Sequence, residues 1–456
     1  MKTILSDDLW SERVSFENLR QVFQDKGCDR VYVKQLAPND NSKNQIFVGN
    51  DLSEVASIPT GEVELVRGTS LKKSASRSII HTSVDLQWIS EGIAESAPDA
   101  KLIFYPQYPE VRFSGFLRGT SISPSELLDP AKRGREVGRL LLLGVNKKSQ
   151  SVFAVVLSSE AAATVAVRSS IGDVRDGIFY IWNLEPGIRE TVHSALLNEL
   201  QRIHEKGWIN GQRLSKDGLI PYRAQNGGGY TLEAELGIFP NGYSAPDFLG
   251  WEVKQHAVGV FSRPRAGSIT LFTPEPDSGV YIEDGLEVFL REWGKKRAGS
   301  ARLDFAGKHV FGLRSSRTGL EMRVVGFNNG DKTFDASGAI ELVSLDERVA
   351  ASWSFEKLLQ HWKRKHSNAV YVPSISRYVS LKSETVRQYM YGAKVHLGVD
   401  TTFVKFLDSF LNRDLFYDPG IHMTPRAETK KRNQFRVSSR NLSSLYRDFS
   451  EVDIRI

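Results

Sequence analysis

The sequence predicts an α+β protein of two domains, the first made mainly of short strands and the second of mixed α/β character. Three observations carry that prediction. Short apolar, β-branched segments follow one another closely through the N-terminal part of the chain. The breakers Pro186 and Gly187 then precede an amphipathic helical pattern. Finally, residues 226–254 gather Glu233, Asp247, Glu252 and Lys254 around one short strand. The boundary is therefore drawn at 185/186, giving domains 1–185 and 186–456.

Composition sets the outer limits. A chain of 456 residues is long enough for two buried cores. With 40% hydrophobic and 25% charged residues it belongs with ordinary globular chains, not with disordered or fibrous ones. A net charge of +6 is a modest basic excess, compatible with nucleic acid as a partner. Cys28 is the sole cysteine, which excludes an internal disulfide and a cysteine zinc site and fits a reducing cytoplasm. The opening MKTILSDDLW has too short an apolar stretch for a secretory leader. The longest apolar runs, from Leu140 and from Val152, are strand-length, so no membrane partner is expected.

In chain order, residues 1–26 show a helical face of Leu9, Val14, Phe16, Leu19, Val22 and Phe23, stopped by Gly27. Strands are expected at RVYVKQL from Arg30, NQIFVG from Asn44, VELV from Val63 and KLIFY from Lys101. RLLLLGV and SVFAVVL flank a hairpin turn at Lys147, Lys148 and Ser149. Strands so short and so close suggest a barrel or sandwich. A helix over 189–206 presents Val192, Ala195, Leu196, Leu200 and Ile203, and Gly207 ends it. The helix TLEAELG follows the glycines at 227–229, and GWEVK from Gly250 and ITLFT from Ile269 read as strands. Further strands are expected at HVFGL from His309, GLEMRVVGF from Gly319 and AIELVSL from Ala339. SWSFEKLLQHWKRKH reads as a helix capped by Ser354, with Lys363, Arg364 and Lys365 suiting the negative end of its dipole.

The strand at GWEVK carries the chemistry. Alternate side chains of a strand share a face, so Glu252 and Lys254 are neighbours while Trp251 and Val253 point the other way. Asp247 precedes them where the chain turns after Pro246. Two carboxylates suit a hard divalent cation such as Mg²⁺, which takes oxygen ligands, water and phosphate oxygens. Such a cation polarises a phosphoryl group and acidifies water. A lysine beside it orients the nucleophile and offsets developing charge. Glu233 reaches the same place from its helix. The bland alternative is a solvated strand face, because an acid-x-lysine pair is common. His256, at the same parity as Lys254, is either an extra base or a bystander.

The segments YTLE (230–233), APDF (245–248), WEVK (251–254) and ITLFT (269–273) resemble the catalytic core of MvaI/BcnI-type restriction endonucleases and, more distantly, the mismatch-repair nickase MutH. The resemblance implies a PD-(D/E)XK restriction-endonuclease-like α/β fold and Mg²⁺ as cofactor. It places the metal ligands on Asp247 and Glu252, the catalytic lysine on Lys254 and the helix glutamate on Glu233. SWSFEKL resembles the same family.

The N-terminal region resembles the effector domain of EcoRII-type enzymes, best over VYVKQLAPND from Val31 to Asp40. That resemblance implies a DNA-binding β-pseudobarrel whose two arms grip the major groove. By position one arm carries Asn39, Asp40, Lys43 and Asn44, and the other Arg112 and Arg118. Arginine and lysine pair with guanine edges or phosphates, and asparagine with adenine; the alternative for NDNSKNQ is a plain polar loop. Arg263 and Arg265, near the metal site in sequence, are either phosphate contacts or loop charges.

Near the C-terminus TKKRNQFRVSSR supplies Lys430, Lys431, Arg432 and Arg436, either a solvated surface or a DNA contact. Arg436 matches an arginine of the family. Where the family pattern carries an Asp and an Arg, this chain has His396 and Gly398 in VHLGV, and a stretch from Thr401 to Met423 intervenes, with His422 as a substitute reader. The two resemblances together imply a monomeric Type IIE restriction enzyme that acts on double-stranded DNA at a short CCWGG-like site. They also imply a second DNA copy at the N-terminal domain. A mismatch-repair-type nickase and a non-cleaving DNA-binding regulator are the alternatives.

Overall fold

In the computed structural model the residues described are 9–38, 44–68, 77–172, 175–184, 192–239, 248, 250–262, 267–365, 368–381 and 384–455. The chain divides into two units, Met1–Thr191 and Val192–Ile456.

The first unit opens with two helices where the sequence suggested one. Ser15 accepts a hydrogen bond from the Asn18 amide at 3.2 Å and so caps Phe16–Asp25, breaking the chain after the short turn Trp10–Arg13. Leu19 and Phe23 are fully buried, Phe23 edge-on to Trp182. Beside them the buried Cys28 thiol is pushed up to about 12, mainly by burial, so it stays protonated and unreactive.

Among the described residues the strands of this unit form two sheets. One runs Arg175–Asp176, Phe179–Asn183, Arg30–Gln35, Leu140–Asn146, Ser151–Leu157, Leu86–Ser90, Ile93–Ser96. The other runs Ile46–Gly49, Glu110–Ser114, Lys101–Tyr105, Arg77–Ser83, Glu64–Gly68. The expected hairpin at 147–149 is present, and Asn146 Oδ1 accepts the Lys148 and Ser149 amides.

In the second unit the long strand Asn368–Leu381 is the axis of the main sheet. Its first half lies between Glu252–Ala257, parallel to it, and Lys394–Val399, antiparallel; Asp448–Asp453 continues the sheet beyond the latter. Val253, Val370, Val372, Val395 and Leu397 share one core with Leu196, Leu200 and Ile203 of the helix Val192–Glu205. The sheet's opposite face is thereby left for polar residues.

A second body of sheets completes the unit. Leu415–Tyr417 and Gly420–Met423 pair with 429–437 in one unbroken register, from Leu415 opposite Val437 to Met423 opposite Thr429. Ser268–Phe272 and Leu303–Ala306 flank this hairpin. Its inner side packs aromatics, with Phe435 stacked on Phe272 at 5.4 Å. The expected strand at HVFGL is not regular: His309 and Phe311 make only isolated bridges, to Tyr417 and Met322. His309 is fully buried, its Nε2 at 2.8 Å from Thr318 Oγ1. Ser354 caps the helix Phe355–Lys365 as expected, accepting the Lys357 amide at 3.2 Å.

Candidate active site and DNA-reading face

The glycines at 227–229 were expected to precede a helix; they form its first turn, in Gly227–Glu235. Contact explains the choice of residue at the first two. A Cβ on Gly227 would lie 2.6 Å from the Tyr389 hydroxyl, and one on Gly228 would lie 2.9 Å from Gln255 Oε1. Tyr391 donates to the Gly228 carbonyl at 2.7 Å. Bare backbone therefore lets the helix seat directly on the strand Glu252–Ala257, which brings the half-buried Glu233 alongside it.

On that strand Trp251 and Val253 are buried in the core, as their parity requires. Glu252 faces the other side and is only 2% exposed. Lys254 Nζ donates to its Oε1 at 2.5 Å. Its Oε2 is buried and has no hydrogen-bond partner among the described residues. A buried carboxylate oxygen without a partner costs on the order of 1–3 kcal/mol, more when charged. A cation there would remove that cost. Asp247 lies outside the described residues, as do Arg263 and Arg265. Just after Asp247 the Phe248 and Trp251 backbones bond reciprocally at 2.9 and 2.8 Å around Gly250, whose φ of 91° favours glycine. The donor chemistry of Glu252, with Asp247 close to it in sequence, fits a hard divalent ion. Among the described residues alone, no group of three or more metal-ligating side chains forms.

Register places other groups in line with this pair. Lys254 lies opposite Tyr371, Tyr371 opposite His396, and His396 opposite Glu451. Tyr371 is fully buried and its hydroxyl meets that of Tyr446 at 2.7 Å. Sequence reasoning missed both tyrosines, because only the fold brings residues 371 and 446 together. His396 stacks on Phe449 at 5.4 Å, with Nε2 at 3.6 Å from Glu451. Burial lowers its proton affinity, against the pull of Glu451. His256 is pushed down to about 4, first by burial and then by His396, and so is neutral at pH 7. His396, expected as a base-reading position, lies in the row of Lys254. Gly398 has a steric reason, since a Cβ there would come within 2.5 Å of the Tyr446 ring.

The basic segment divides by alternation. Lys430, Arg432, Gln434 and Arg436 lie on the accessible side of the hairpin, and His422 lies opposite Lys430. Asn433 and Phe435 point inward and are buried. Lys431 shares their parity; its ammonium lies 5.8 Å from the Tyr281 ring centre and 3.8 Å from Glu275, not with the other cations. Arg436 donates to Asp418 at 2.6 Å and to the Ser268 carbonyl at 2.9 Å.

In the first unit, Asn39, Asp40 and Lys43 lie outside the described residues. Asn44 adopts a left-handed backbone with φ 50°, and Arg118 is exposed in the turn after Glu110–Ser114. Arg112 donates to Gln45 Oε1 at 3.2 Å while Glu110 holds its other side at 2.6 and 3.0 Å. They line a cleft of about 620 Å³ with Lys34, Phe47 and Arg139.

Comparison with known proteins agrees with the second unit. The model of the MvaI/BcnI restriction endonuclease family matches residues 197–446. Among solved structures, MvaI in complex with its cognate DNA substrate is similar at 18% identity and a TM-score of 0.43, covering 58% of this chain and 99% of that one. MvaI in the absence of DNA gives 16% identity and a TM-score of 0.31, covering 59% and 100%. No curated protein matches. The family match spans more than half of the chain, so this protein belongs to the MvaI/BcnI restriction endonuclease family and is a sequence-specific Type II DNA endonuclease.

Proposed function

We propose that this endonuclease is a Mg²⁺-dependent Type IIE enzyme. In this reading the second unit cuts at a short CCWGG-like site, and the first holds a second copy of the DNA and stimulates cutting. The observation that carries the catalytic part is the buried Glu252, with one oxygen on Lys254 and the other without a protein partner among the described residues. Asp247 and Glu252 would hold the ion. Bound there, it would polarise the scissile phosphate and lower the pKa of a water. Lys254, anchored on Glu252, orients the attacking water and offsets charge on the phosphoryl oxygens. Glu233 supports this set from the glycine-opened helix. Hydrolysis breaks the P–O3′ bond and leaves a 5′-phosphate and a 3′-hydroxyl.

Support for the effector reading is the cleft where Arg112 and Gln45 meet, together with the resemblance of the N-terminal segment to EcoRII-type pseudobarrel domains. The pairing of such a domain with an MvaI-like unit is similar to that in the monomeric Type IIE enzyme UbaLAI. Supercoiled plasmid incubated with and without Mg²⁺ tests the cutting, with Asp247→Ala as control. Linear product only with the metal, lost in the variant, is the expected result; product that is open-circular only would favour a nickase. Adding a short uncleavable target duplex should change the rate, and no change would remove the effector role.

A further inference from the structure

On the accessible side of the second unit's hairpin one arginine is held differently from the rest. Arg302 and Asp304 are two residues apart on and beside the strand Leu303–Ala306, so both face the same way. Arg302 Nε donates to Asp304 Oδ1 at 2.6 Å and Nη2 to Oδ2 at 3.1 Å. The carboxylate thus takes one long edge of the guanidinium. The remaining edge, Nη1 with the second Nη2 hydrogen, has no protein partner among the described residues.

Asp304 lies directly opposite His422, and His422 directly opposite Lys430. The fork therefore belongs to the row that leads to the cations at 430, 432 and 436. His422 is kept neutral at pH 7, by partial burial first and by Arg302 second, so it offers both a donor and an acceptor.

Arg323 shows that the fork alone does not make a reader. It has the same strand spacing to Glu321, but its far edge is closed by Glu347. Arg302 is open where Arg323 is sealed. A phosphate contact needs only charge and reach, which exposed lysines supply. A guanidinium fixed in plane, with a free two-donor edge, matches the O6 and N7 acceptors of guanine.

We propose that Arg302, held in plane by Asp304, reads a guanine edge in the DNA target next to His422. This rests on the reading of the hairpin face as the surface that meets DNA.

The test begins with the wild-type enzyme. Sequencing its cut ends gives the target, and cleavage is then measured on that duplex and on each single-base-pair variant of it, for wild type, Arg302→Lys, Asp304→Asn and Arg323→Lys. Binding to an unrelated duplex is followed in Ca²⁺, and melting temperature checks the fold. Arg302→Lys should cut the target about tenfold to a hundredfold more slowly. Its discrimination should flatten at one G·C pair while unrelated-duplex binding and melting stay unchanged. Asp304→Asn should weaken the same position by less, and Arg323→Lys should leave every position as in wild type. An Arg302→Lys enzyme with wild-type preference at all positions, or with a loss spread evenly over them, would overturn the proposal. If the wild-type protein cut no DNA, the functional reading itself would fall.

Discussion

Two faces of the second unit use the same device, the strand's alternation of sides, for opposite ends. On the Glu252 strand the polar side is withdrawn from water: Glu252 is 2% exposed and pairs with Lys254. On the hairpin the polar side stays wet, with Lys430 and Arg432 exposed. Desolvation makes a carboxylate demand a cation and strengthens every charge interaction around it. Accessibility keeps donors available to a partner that comes and goes. In the proposed reading, the difference gives a sequence-specific nuclease a dry place for chemistry and a wet one for reading.

The sharpest way to break this contrast is at the dry face. Lys254→Met should lower cleavage by roughly 10²–10³-fold, the scale of removing one transition-state donor, while DNA binding in Ca²⁺ persists. Matched losses of binding and cutting would mean the lysine only holds DNA.

Next in size is a dependence of stability on pH. Burial pushes His309 down to about 4, and its backbone pairs with Tyr417 on the inner side of the hairpin. The unfolded imidazole binds a proton near its ordinary 6.5 and the folded one does not. Its contribution is therefore complete above 6.5 and is lost as pH falls toward 4, by roughly 3 kcal/mol. Melting from pH 7.5 to 4.5 should fall more steeply for wild type than for His309→Gln; parallel slopes would contradict this.

Gly398→Ala tests the packing beneath the chemistry. Its new methyl meets the Tyr446 ring, and overpacking of this kind costs about 1–3 kcal/mol. Chemical denaturation should show that loss, and show less of it when Gly398→Ala is made in a Tyr446→Ala background; an unchanged midpoint would mean the ring moves freely.

The smallest effect belongs to the wet face. Lys430→Ala should weaken binding about equally across DNA sequences and lower the salt slope by about one. Loss of preference at one position instead would make Lys430 a reader.

Local pattern was enough to foresee part of this. The parity of Glu252 and Lys254 against Trp251 and Val253 is a property of five consecutive residues, and the core face of Val192–Glu205 is a property of helical spacing. Ser354 as a cap is equally local. What escaped depends on distant contacts. The glycines at 227 and 228 look like a loop until Tyr389 and Gln255 press against them. VHLGV and GIHM are both short strands with a histidine, and only pairing tells that His396 joins Lys254 while His422 joins Lys430. HVFGL has a strand's composition, yet its residues pair singly with two different neighbours. Lys431 looked like one more cation in a run, and alternation turned it toward Tyr281.

The claim beneath all of this is that the buried oxygen of Glu252 serves a metal at the scissile phosphate. Glu252→Gln keeps the shape and removes the charge, so the direct test is its cleavage of plasmid in Mg²⁺ beside its DNA binding in Ca²⁺. The account predicts linear product from wild type, none from the variant, and binding retained. Undiminished cutting by Glu252→Gln would contradict it.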